Sequence, residues 1–175
     1  MEERSVAPMT AFKIRRATIE DIPSIQTLYL QEEDVHRSLY PHYFHEKGTI
    51  LSEQTLKKEL QDAKLVCQVA TMERRVVGFV FAKIERFSRE PHFKKVEYAL
   101  IEDCVVLESC RRRGIATALV REVCNWVKAQ GLDRVQLQVW ANNEPALRLY
   151  RKLGFADLIL RMELIEGSRN GAESS

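Results

Sequence analysis

A chain of 175 residues is long enough to bury one sizeable core, and 45% hydrophobic with 30% charged residues is the mixture of a folded domain, which excludes a disordered chain. The 27 basic and 25 acidic residues leave a net charge of +2, no global reason to expect a nucleic-acid partner. Cys67, Cys104, Cys110 and Cys124 form no CxxC pair and have no histidine at zinc-finger spacing. Neither a disulfide framework nor a metal site is therefore expected, and with no apolar leader or membrane-length run the expected location is cytoplasmic.

Residues 12–17 read as a first strand, and Thr18 or Asp21 stands where it can cap a helix whose apolar positions Ile22, Ile25, Leu28 and Tyr29 recur at helical spacing. Glu32, Glu33 and Asp34 follow, a solvated face or an attraction for a cation. His36, Tyr40, His42, Tyr43, Phe44 and His45 form the densest aromatic and histidine cluster, without a carboxylate or cysteine set that would make a metal site. Gly48 interrupts the pattern and residues 52–60 resume a helix.

Residues 64–70 and 76–84 predict an antiparallel hairpin about a polar turn, with Gly78 marking a bulge. Residues 86–93 read as a loop, and 96–107 as a strand with Glu102 and Asp103 at its centre. Because adjacent strand residues face opposite sides, one of that pair is expected to face a cleft.

Ile115, Leu119 and Val123, widened by Ala116, Val120 and Val127, stripe a helix that Gly131 can end. Val135, Leu137 and Val139 alternate in a further strand, and Asn143 and Pro145 open a helix holding Leu147, Leu149 and Tyr150. Phe155 and residues 159–165 supply the last strand material. The expected organisation is one α/β domain over residues 12–166, a mixed sheet with helices on both faces, between flexible ends at 1–11 and 167–175.

The chemistry concentrates where the 96–107 strand meets the helix opened by Ile115. The first turn of a helix leaves backbone N–H groups unpaired, and Gly114 and Ala116 let a phosphate approach them; Arg111, Arg112 and Arg113 add positive field. A solvated helix entrance is the alternative. At Asn143 a helix cap competes with a ligand contact, at Tyr150 packing competes with acid catalysis, and at Glu102 a structural salt bridge competes with a catalytic base.

Arg111 to Ala116 match the Arg/Gln-x-x-Gly-x-Gly/Ala signature of the GCN5-related N-acetyltransferase (GNAT) superfamily, and residues 140–155 resemble its later Asn, Ala, Tyr and Gly-Phe motif. The resemblance runs from Phe12 to Ile165. It implies a strongly twisted sheet of six or seven strands, splayed between two central parallel strands, and transfer of acetyl from acetyl-CoA to an amine without a covalent enzyme intermediate. Residues Arg111, Arg112, Arg113, Gly114, Ile115 and Ala116 inherit the diphosphate seat, Val106 and Glu108 backbone contacts to the pantetheine arm, and Asn143 a contact to the same arm. Tyr150 inherits the proton donor to the departing sulfur. The Glu-Asp pair resembles that of polyamine and small-amine acetyltransferases, which implies Glu102 as proton acceptor. The expected acceptor is a small primary amine, such as a polyamine, aminoglycoside or amino-acid derivative. A peptide acceptor and a noncatalytic acyl-CoA sensor are the alternatives, and a homodimer accords with the superfamily's habit of pairing.

Overall fold

The structure is a computed structural model that describes residues 11–46, 51–87, 92 and 94–165. Gly48 and nearly all of the two ends read as flexible lie outside the described residues.

Strand β1 (Lys13–Arg16) leads to helix α1 (Ile22–Leu39), and helix α2 (Glu53–Gln61) precedes the hairpin of β2 (Leu65–Met72) and β3 (Arg75–Phe87). Strand β4 (Val96–Val106), helix α3 (Ile115–Ala129), strand β5 (Val135–Leu137) and helix α4 (Glu144–Lys152) complete the order. The sheet runs β1-β2-β3-β4-β5, antiparallel except for the parallel β4–β5 pair. Asp21, 5% exposed, anchors the start of α1 to β1 by accepting two bonds from Arg15 at 2.6 and 2.7 Å and one from the Thr18 N–H at 2.8 Å.

The expectation of six or seven strands is overturned: the sheet has five, among the described residues. The segment read as a last strand, 159–165, joins no ladder. It is held elsewhere, by an Arg151–Asp157 ion pair at 3.6 Å and by the Tyr43 hydroxyl donating to Glu163, and three-residue β5 offers it little edge. β5 is consequently the outermost strand, so the parallel pair joins an inner strand to an edge strand rather than two central ones.

Two apolar layers sandwich the sheet, which is why β2 and β3 are apolar in near-continuous runs. One layer joins Val66, Val80, Ala82, Ala99 and Ile101 to the α3 stripe of Ile115, Leu119, Val123 and Val127. The other joins Cys67, Val69, Phe79, Phe81 and Val105 to Ile22, Ile25 and Leu28 of α1 and Leu56 of α2.

An irregularity in β4 decides what faces α1. Phe81 pairs with Asp103 but Ala82 pairs with Ile101, so Glu102 is the extra residue of a bulge. Ala99 and Ile101 belong to the α3 layer, whereas Val105, on the same parity, belongs to the α1 layer. Glu102 meets Lys83, which alternates with the α1-facing Phe79 and Phe81, and Asp103 meets Tyr29 of α1. The rule of opposite faces therefore fails here, and both carboxylates lie on the α1–α2 side. A second irregularity skips Val77, next to Gly78; a Cβ on Gly78 would stand 2.8 Å from the Val105 carbonyl oxygen. β3 and β4 thus meet closely at the carboxyl end of β4.

Candidate active site

β4 and β5 pair only from Ala99–Val135 to Ile101–Leu137. Beyond Ile101, β4 continues to Val106 while β5 stops, leaving residues 102–106 with one edge outside the ladder, and an extended arm can add there as a strand would. Val106, 9% exposed, is paired with Gly78 on its other side.

The chain then turns through the 3-10 helix Glu108–Cys110 into α3. Arg112 at φ 65° and Gly114 at φ 81° are both left-handed, and a Cβ on Gly114 would meet nothing within 4 Å. The Ala118 N–H donates to the Gly114 carbonyl at 3.0 Å, so the amides of Ile115, Ala116 and Thr117 precede the first helical bond, and Gly114 carries no side chain to cap them. The geometry fits a phosphate: open space in front of oriented donors at the positive end of a 15-residue helix. Ile115 is 2% exposed with its side chain in the core, so only its amide can serve. Arg111 Nε donates to the Val106 carbonyl at 3.2 Å, bracing the turn, while the Arg112 and Arg113 side chains are exposed. Exposed Glu108 accepts the Arg111 N–H at 3.1 Å through its carbonyl.

Asn143 caps α4, its Oδ1 accepting from the Ala146 N–H at 3.3 Å. Its two Nδ2 donors and the second lone pair of Oδ1 are left for other partners. Tyr150 packs edge-on against Phe155 at 5.7 Å and its hydroxyl bonds to Cys104 of β4. Burial, then the neighbouring Cys104, Glu32 and Asp103, push its pKa upward, so the phenol stays protonated and able to donate. Burial likewise pushes the Cys104 thiol up to about 12, which makes it a poor nucleophile.

Across the open edge of β4 lies an acidic floor. The Tyr29 hydroxyl donates to Asp103 Oδ2 at 2.6 Å, and Glu32 follows Tyr29 on the buried stripe of α1. Tyr29, Glu32 and Asp103 are each half-buried. Burial, and then repulsion from Asp103 and Glu33, raise the Glu32 carboxyl to about 8. Burial also raises Asp103, against the Tyr29 hydrogen bond, and Glu59 of α2 is raised by burial and by Glu102 and Asp103. Glu102 is ion-paired to Lys83 at 2.5 Å.

The aromatic cluster forms one wall. Trp140 stacks on Tyr40 at 4.5 Å and contacts Tyr43, Phe44 and His36 at 5.5, 5.8 and 6.5 Å between ring centroids. The Asn142 N–H donates to the Tyr40 hydroxyl at 3.1 Å, tying the end of α1 to the loop after β5. Burial lowers the His36 pKa, keeping its ring neutral. A separate open depression at the amino end of β4 is lined by Arg86, Lys95, Glu97, Asp133 and Arg134, among which Arg86 pairs with Glu97 and Arg134 with Asp133.

The sequence singled out Tyr150, Asn143 and residues 111–116, and left Tyr29, Glu59 and Lys83 unassigned. Tyr29 and Glu32 carried a usable signal, since residues 25, 28, 29 and 32 share one helical face. Lys83 and Glu59 carried none. Among the described residues no His, Cys, Asp and Glu group could hold a metal ion, and no helix is long and apolar enough to cross a membrane.

A parallel pair whose ladder ends at Ile101, open backbone amides at the start of α3 and a protonated phenol beside β4 are compatible with an acyltransferase that takes its acyl group from a CoA thioester. Residues 26–155 match the acetyltransferase (GNAT) family, and the chain belongs to it. Acetyl-CoA is accordingly its cosubstrate. The chain is 30% identical over 163 residues to an N-alpha-acetyltransferase of Sulfurisphaera tokodaii, covering 89% of this chain and 87% of that protein. It is 28% identical over 153 residues to an L-amino acid N-acetyltransferase of Escherichia coli, covering 84% of each. A Bacillus halodurans protein, solved as a tetramutant, superposes with TM-score 0.81 at 25% identity, over 87% of this chain and 99% of that one.

Proposed function

We propose that this acetyltransferase acts on a small amine bearing a further positive charge, and that Glu32 and Asp103 together take up the proton the amine must lose. The observation that carries this reading is the gathering of Glu32, Asp103, Glu102 and Glu59 on one side of the sheet, at the open edge of β4. With its pKa raised to about 8, Glu32 is ionised in part of the population near neutral pH, and that carboxylate form is basic enough to accept a proton from an arriving ammonium. The neutral amine then attacks the thioester carbonyl, the tetrahedral adduct expels the sulfur as Tyr150 donates its proton to it, and the proton shed by the adduct's nitrogen restores the phenol. Glu102, read from the sequence as the proton acceptor, is held against Lys83 and contributes field to the acceptor basin. The seat at residues 111–116 holds the diphosphate, and Asn143 and the Val106 to Glu108 backbone line the arm.

The likeness to archaeal N-alpha-acetyltransferases favours a second reading, a peptide α-amine. A panel of polyamines, aminoglycosides, amino acids and peptides with free N-termini, followed by free-CoA release and product mass, separates the two. The highest kcat/KM is expected for a small polycation. A peptide outperforming every polycation would replace this reading, and CoA release without acetylated amine would indicate hydrolysis.

A further inference from the structure

Tyr29 and Glu32 stand one turn apart on α1, so one helix face presents a hydroxyl and a carboxylate to the same stretch of β4. The hydroxyl donates to Asp103 Oδ2 at 2.6 Å. Its ring cannot swing away, because it packs on the buried Phe79 at 4.8 Å and the buried Phe81 at 6.4 Å between centroids. Burial and the neighbouring Asp103, Glu32 and Glu59 push the phenol's pKa upward, so it remains a donor throughout the neutral range.

Two neighbouring carboxyls compete for one proton, and a donor fixed on one of them favours the ionised form of that one. Given Glu32 and Asp103 as the pair that takes up the amine's proton, we propose that Tyr29 is a positioning residue whose hydrogen bond keeps the charge on Asp103 and leaves the exchangeable proton to Glu32. Asp103 is then a fixed anion that makes Glu32 basic, and the amine meets one defined acceptor on α1. The other charges around the pair do not make that choice. Glu33 of α1 repels Glu32, while Glu102 of β4 and Glu59 of α2 repel Asp103, so both carboxyls are pushed the same way. Lys83 of β3 is held by Glu102 and Glu85 at 2.5 and 3.2 Å. Burial pushes the pKa of Cys67, Cys104 and Tyr150 upward, which leaves these three neutral near pH 7.

The test follows the two carboxyl groups by carbon-13 NMR in the full chain, wild type against Tyr29→Phe, with Glu32→Gln and Asp103→Asn to assign the resonances. In wild type the step near pH 8 is expected at Glu32, with Asp103 titrating lower. Tyr29→Phe keeps the ring and removes the donor. About half or more of that step should then pass to Asp103, and the rise of kcat/KM with pH should move up by about 0.3 pH units or more, because a second site now holds the proton. A side chain that only pinned α1 to β4 would change turnover or melting without moving either titration. Asp103 carrying the step near pH 8 in wild type, or two titrations in Tyr29→Phe that match wild type, would overturn the proposal. Should Tyr29→Phe fold poorly, the order in wild type decides: Asp103 below Glu32 supports the assignment, and Asp103 at or above Glu32 overturns it. A rise of kcat/KM that survives Glu32→Gln removes the base itself and the role of Tyr29 with it. A rise lost in Glu32→Gln but unmoved in Tyr29→Phe overturns the role of Tyr29 alone.

Discussion

Glu32 shows how a single carboxylate can trade stability for chemistry. Helical spacing from Leu28 and Tyr29 turns it toward the sheet, where Asp103 waits, and burial with that repulsion raises it to about 8. Its folded pKa thus exceeds the unfolded one, about 4.3, so its contribution is full below the unfolded value and is lost as pH rises through about 8. Glu32→Gln removes that loss: the variant should melt a few degrees above wild type at pH 9 and near wild type at pH 4, as calorimetry would register. Turnover should move the other way. Wild-type kcat/KM is expected to rise with pH through about 8, and Glu32→Gln to fall about a hundredfold with that rise gone from the pH–rate profile. For Tyr150→Phe the expected signature is a drop of about tenfold or more in single-turnover rate with acetyl-CoA affinity unchanged in titration. The place of Glu32 on the α1 stripe could be read from the sequence, but its partner could not, because Asp103 reaches that side only through the extra residue in β4.

At the scale of elements, the junction of β4 and α3 is the proposed binding seat, and β3 and β4 meet closely beside it. Gly114 is left-handed, so Gly114→Val both strains the turn and places a side chain in front of the amides. Acetyl-CoA affinity should fall at least about tenfold in calorimetric titration while circular dichroism keeps the wild-type helix signal. Gly78→Ala probes the other contact. Its Cβ would press on the Val105 carbonyl, 2.8 Å away and part of the backbone, so a loss of about 1–3 kcal/mol is expected in urea unfolding. The elements themselves were largely visible in the sequence as stripes and alternations. The count of strands was not, since residues 158–165 alternate like a strand yet find no edge within their own chain, and alternation records the side chains but not the ladder.

Across the whole molecule the net charge of +2 supplies little steering, so attraction of a cationic acceptor depends on the local acidic floor. With acetyl-CoA saturating, kcat/KM for a polycation should fall several-fold between about 0.02 and 0.2 M salt, and less for a neutral-backbone peptide, in initial-rate measurements. The aromatic cluster built on Trp140 ties the end of α1 to the loop after β5. What the sequence determined alone was the glycine turn and the helix it opens, because residues 111–127 are contiguous and their geometry follows from local backbone rules and one apolar stripe. Only the tertiary structure decided which carboxylates meet. Residues 32, 59, 102 and 103 come from three elements, and their convergence rests on one skipped pairing between β3 and β4, a matter of cross-strand packing that no local pattern encodes.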